Sequence, residues 1–164
     1  MKRSTLLLVV ALASGALLTL TPAALGNGRV IHKVSVGSAD VLPPPGTDAN
    51  FSLSATQDAD GTARGQWEDT VNGRSVPAIS LHVEIDCLVV VGNDAWVSGI
   101  IARPAVLAGL RANARVRDNG TSANDPADQI SLTFFPPAID PGVTCQDQPD
   151  LPLNDLINGQ ANVK

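Results

Sequence analysis

The chain predicts an all-β protein: a single antiparallel β-sandwich or flattened barrel of about eight strands, with mostly meander connections. Three observations predict it. Pro, Gly, Asn and Asp recur at short intervals. The segments between them are rich in Val and Ile. The longest segment, Ala78–Val91, alternates apolar and polar residues with the period of a half-buried strand.

Met1–Gly26 reads as an export signal. Lys2 and Arg3 precede the apolar run Leu6–Leu20, and Ala24-Leu25-Gly26 places small residues where a signal peptidase reads. The run is too short for a membrane span, which takes about 20 apolar residues. The mature chain is then Asn27–Lys164, expected to be secreted, with residues 27–48 as an N-terminal strand and Pro-rich linker and 49–164 as the rest of one β-domain. Val30–Val36 is the first strand. Val41–Asp48 holds Pro43-Pro44-Pro45, which cannot sit in a ladder. Ala49–Thr56 alternates Phe51, Leu53 and Ala55 against Asn50, Ser52 and Ser54. Asp58-Ala59-Asp60-Gly61 turns the chain and Thr62–Asp69 returns.

In Ala78–Val91, Ile79, Leu81, Val83, Ile85 and Cys87 share one face, and Ser80, His82, Glu84 and Asp86 the other. Leu88–Val91 is apolar on both faces, so the strand passes under a cover or bulges there. Gly92-Asn93 makes a turn into Asp94–Ala102. Arg103–Leu110 is the one stretch suited to a helical turn, with Pro104 at a first helical position. Ala112–Asp118 is a strand, Thr121–Ala127 a polar loop, and Gln129–Phe135 a strand stopped by Pro136-Pro137. Pro141–Pro152 is irregular, and Gly159–Lys164 closes the domain.

The formal charge is −5, and −7 once Lys2 and Arg3 are removed with the signal. An acidic chain without a basic stripe repels phosphate backbones, so nucleic acid is not an expected partner. No second apolar stretch is long enough to span a bilayer and no Cys stands at the cleavage point, so no stable membrane anchor is expected. The two cysteines, Cys87 and Cys145, allow one intramolecular bridge, which an exported chain favours. The other readings are a zinc pair, which wants closer spacing, and a catalytic thiol.

The order of turns and strand starts is familiar. It runs Asp60-Gly61-Thr62-Ala63-Arg64-Gly65, the long strand Ser80–Val91, and Gly92-Asn93-Asp94-Ala95-Trp96-Val97-Ser98-Gly99. Then come Val116-Arg117-Asp118-Asn119-Gly120, Asp128-Gln129-Ile130-Ser131-Leu132 and the terminal Gly159-Gln160-Ala161-Asn162-Val163-Lys164. The pattern resembles a group of uncharacterised exported bacterial β-domains, found as small secreted proteins and as modules of cell-surface proteins. The resemblance covers most of the mature chain and implies a fold; it carries over no catalytic residue. Gly37-Ser38-Ala39-Asp40 stands where such proteins often have a Gly-rich first strand.

Two groups have residue types suited to metal. Asp118, Asn119, Asp125 and Asp128 gather oxygens in one loop, as calcium requires, although the EF-hand spacing is absent. The same residues also build turns for local reasons. His82, Glu84 and Asp86 share a strand face, about 7 Å apart, at a spacing that suits a metal or a shared proton. A solvated sheet face looks the same. No serine sits in a Gly-x-Ser-x-Gly or Ser-x-x-Lys motif, and only His32 and His82 supply imidazole. Glu68-Asp69 or Glu84/Asp86 have the makings of a glycosidase pair, but the chain has no Tyr and few aromatics to stack against a sugar. Trp67 and Trp96 read as packing residues before binding-site walls.

No catalytic residue and no cofactor is assigned. The leading expectation is a non-enzymatic exported domain that binds or serves structurally at or beyond the cell surface. A second is a lipocalin-like carrier of a small apolar ligand, which needs an open interior. A third is a hydrolase or metal-dependent enzyme using His82 and nearby carboxylates.

Overall fold

The computed structural model describes residues 29–39, 47–73, 76–122 and 124–164; the expected signal Met1–Gly26 and Pro43-Pro44-Pro45 lie outside them. The described chain is all-β. Its strands are β1 (Val30–Ala39), β2 (Thr47–Asp58), β3 (Ala63–Gly73), β4 (Val76–Val91), β5 (Asp94–Arg103), β6 (Arg111–Arg117), β7 (Gln129–Ser131), β8 (Leu153–Asp155) and β9 (Asn158–Val163). They form one antiparallel sheet in the order β8-β7-β6-β5-β4-β3-β2-β1-β9. The first eight strands are a meander, and β9 returns to pair with β1.

That order forces the sheet to curl. β8 and β9 lie at opposite edges, yet three Cα steps join Asp155 to Asn158, a reach of about 11 Å. Laid flat, nine strands would be about 38 Å across. The two edges therefore come side by side, and the sheet closes into a half-barrel. Its concave face carries Val34, Val36, Phe51, Leu53, Trp67, Val83, Val97, Ala114, Val116 and Ala161, all buried in one cluster. Phe51 and Trp67 stack there, with ring centroids 6.4 Å apart. These side chains fill the interior.

The hairpins form where turn chemistry demands. Gly61 takes φ +87° and Gly92 φ +62°, conformations that cost glycine nothing. Nine strands form among the described residues, in keeping with the expectation of about eight; the short β8 follows Pro152 with no alternation to announce it. Two expectations are corrected. Of the stretch Arg103–Leu110, Arg103 ends β5 and the rest is a run of turns and not a helix; Leu107 N–H bonds Pro104 O at 3.0 Å, but Gly109 N–H turns back to Ile101 O at 2.9 Å. Cys87 does not share the face of Ile85. A bulge lies between Ile85↔Gly99 and Cys87↔Ser98, so Leu88 takes the next inward position and Cys87 points out.

The outward turn of Cys87 lets the disulfide form. Cys87 and Cys145 are bonded, with Cα atoms 5.8 Å apart. The bridge pins the segment 143–149 as a strap across the convex face of β4–β6. Beneath this strap Ser98 donates to Asn113 Oδ1 at 2.8 Å, and Asn113 Nδ2 reaches Val143 O at 3.3 Å. Trp96 Nε1 donates to Pro149 O at 3.0 Å, and the Arg115 guanidinium lies 5.0 Å from the Trp96 ring centroid. Thus Trp67 packs inside, and Trp96 packs under the strap. Among the described residues no helix is long and apolar enough to cross a membrane.

Candidate functional site

The acidic loop after β6 lies at the seam between the two sheet edges. Asp128 is buried. Its Oδ2 accepts from Ala161 N–H at 2.7 Å and its Oδ1 from Asn119 N–H at 2.8 Å. Asp118 Oδ2 accepts from Val163 N–H at 3.0 Å and Oδ1 from Gly120 N–H at 3.0 Å. Ala161 and Val163 are two apart, so their amides leave the same edge of β9. Two carboxylates thus replace the ladder bonds that β9 lacks on this side, and they blunt an edge that would otherwise be open. Asn119 Nδ2 donates to Ala127 O at 2.6 Å, and Asp125 Oδ2 accepts from Ser122 N–H at 2.8 Å. The four sequence-predicted residues come together in one loop, where the Asp118, Asp125 and Asp128 carboxylates hold backbone amides and Asn119 donates to a carbonyl.

His82, Glu84 and Asp86 do not converge. His82 Nδ1 is 3.2 Å from Glu68 Oε1 on β3, and Arg103 Nη2 is 3.7 Å from the same oxygen. Asp86 makes a bidentate pair with Arg111 at 2.7 and 2.8 Å. Glu84 is exposed. Among the described residues no group of three or more His, Cys, Asp or Glu is placed to hold a metal. The two imidazoles also lie apart: His32 alternates with buried Val34 on the concave side, and His82 is on the convex side. Asp94 lies at the strap's edge. Burial pushes its carboxyl up, but hydrogen bonds from Arg117 and Arg115 and their charges outweigh burial and hold it below the ordinary carboxylate value.

Glu68 and Asp69 point to opposite faces, so they form no pair of acids. Glu68 joins His82 outside. Asp69 lies in register with Phe51 and Leu81, between inward Trp67 and Val71. It is half-buried at one mouth of the half-barrel, where the ends of β3 and β7, the start of β4 and the β5–β6 turn meet. There Val71, Ile79, Leu81, Leu107, Leu132 and Phe135 line a recess of about 220 Å³ that opens to solvent, with Asp69 and Thr133 as its polar groups. Thr133 Oγ1 donates to Asp69 Oδ2 at 2.7 Å. Burial pushes the Asp69 carboxyl above its ordinary value, and the Thr133 bond opposes the shift. Ile79 and Leu132 at the rim are 43% and 40% exposed, uncommon for large apolar side chains.

Sequence reasoning treated Asp69 only as a neighbour of Glu68. The signal that finds it is the alternation Trp67, Asp69, Val71, which places an acid on an inward position. Comparison with protein-family models, with curated proteins and with solved structures found no match for this chain.

Proposed function

We propose that the chain is an exported, non-enzymatic binding domain of the secreted β-domain group it resembles, and that it takes an apolar group into the recess at the mouth of the half-barrel. The observation that carries this reading is the recess itself: six apolar side chains around about 220 Å³, open to solvent, with Asp69 and Thr133 set among them. Ligand sites have this composition, an apolar wall with a small number of placed polar groups. Export is supported by the character of Met1–Gly26 and by the Cys87–Cys145 bridge, which persists in oxidising compartments. The acidic charge argues against nucleic acid as the ligand.

The filled interior weighs against a carrier that engulfs its ligand: Trp67, Phe51 and Leu53 occupy the space such a ligand would need. The hydrolase reading has His82 beside a single carboxylate on a convex surface, and substrate would have no cleft there. Amide spectra of the isotope-labelled, oxidised chain, titrated with small apolar fragments, test the proposal. Shifts confined to Val71, Ile79, Leu81, Leu107 and Thr133 are expected. No response at these amides, or a response only elsewhere, overturns it.

A further inference from the structure

We propose that the recess selects small amphipathic amines: molecules with an apolar body of about phenyl or short-alkyl size and one ammonium group seated on Asp69. The inference rests on the binding reading above and adds the chemistry of the ligand. Asp69 stands out among the buried and half-buried carboxylates of the described residues. Asp58 is paired with Arg64, and Asp94 with Arg115 and Arg117. Asp118 and Asp128 each hold two backbone amides. Asp69 receives one hydroxyl proton, from Thr133, and no cation among the described residues meets it.

A carboxylate set into an apolar wall is costly unless a cation or several donors reach it. The protein supplies one donor, to Oδ2, among the described residues, and Asp69 is part of the recess wall. A ligand ammonium has the charge and the donors the carboxylate lacks. The surrounding side chains supply an apolar wall for the rest of the ligand. The volume is of the order needed for one ring, since an apolar cavity of about 150 Å³ takes benzene. A ligand carboxylate would meet like charge, and a neutral alcohol would pair without neutralising Asp69, so the wall discriminates by charge as well as by size.

Benzylamine, benzyl alcohol and benzoate serve as probes of equal size, with affinities read from amide shifts of the oxidised chain at neutral pH. Benzylamine is expected to bind at least tenfold more tightly than benzyl alcohol, and benzoate more weakly than either. Asp69→Asn is expected to abolish the preference of amine over alcohol. Asp69→Ser is a second variant should the first fail to fold, and the wild-type ratio stands without either. Equal affinities of amine and alcohol, tightest binding of benzoate, or an unchanged preference in a folded Asp69 variant overturns the amine inference and leaves the apolar site standing. Binding of none of the three overturns both.

Discussion

Asp128 closes the half-barrel, and its removal is the sharpest test of that account. Asp128→Ala strips the acceptor from Ala161 N–H and from Asn119 N–H, bonds of 2.7 and 2.8 Å. Ala161 is fully buried, so water does not replace the lost oxygen there without opening the seam. A hydrogen bond to a charged group contributes about 1.5–3 kcal/mol, and the half-buried Asn119 side takes the low end. The expected loss is about 3–5 kcal/mol, a large share of the 5–15 kcal/mol typical of a domain. Asp128→Asn keeps one oxygen but turns an amide donor toward a second donor, so about half that loss is expected. Urea unfolding of the oxidised chain measures both, and hydrogen exchange at Ala161 locates the effect. A loss under about 1 kcal/mol for Asp128→Ala, with unchanged exchange at Ala161, would refute the clasp. Added calcium is expected to leave the wild-type unfolding midpoint unmoved; a clear rise would show that the loop ligates the ion after all.

Asp69→Asn tests the buried acid from the side of stability. The folded carboxyl lies above its ordinary value of 3.8, so folding favours the protonated form. That favour is full below the ordinary value and is lost as pH rises through the folded value. The stability of the variant relative to wild type is therefore expected to climb from about pH 4 upward and then level off, and a flat difference between pH 3 and 8 would contradict the burial of Asp69. Gly99→Ala is expected to cost about 2–4 kcal/mol, because the new Cβ would lie 2.2 Å from the Glu84 carbonyl oxygen at the β4 bulge. Gly37→Ala, with nothing within 4 Å, is its control and should change urea stability by less than about 1 kcal/mol. Replacing Cys87 and Cys145 together by Ala releases a loop with ends 58 residues apart and is expected to cost up to about 4 kcal/mol on the chain-entropy model. Hydrogen exchange should then quicken first at Asn113, under the strap, and at Phe134, its bridge partner; equal quickening in β1–β3 would mean the bridge holds the whole sheet.

The fold was legible wherever one strand is enough to show it. Alternation in Ala49–Thr56 and Ala78–Val91 placed β2 and β4, and Gly61 and Gly92-Asn93 placed their turns. Local chemistry decides these elements, because a glycine at positive φ and a period of two act over a few residues. What went unread depends on partners distant in sequence. The phase slip at Cys87 needs Gly99 on the neighbouring strand, where any Cβ would strike the bulged backbone. The three residues of β8 are extended because β7 offers them a ladder, and their own sequence shows no alternation.

The candidate sites show the same division. Asp118 and Asp128 were rightly placed in one loop, but calcium and a backbone amide ask the same thing of a carboxylate: two oxygens, held close, in a segment without regular structure. The sequence of the loop does not distinguish them. The amides come from β9, some thirty residues downstream of Asp128, which has no strand to pair with on that edge. An unpaired strand edge is itself an array of donors, so an acidic loop beside a barrel seam has an occupant before any ion is considered. Asp69 is the converse case. Its neighbours Thr70 and Glu68 are polar, and the surrounding sequence reads as surface. Only the inward register shared with Trp67 and Val71 marks it, and the closing of the sheet then leaves it with one hydroxyl for company. The acids with partners hold the barrel shut; the acid without a cation among the described residues lines an apolar recess.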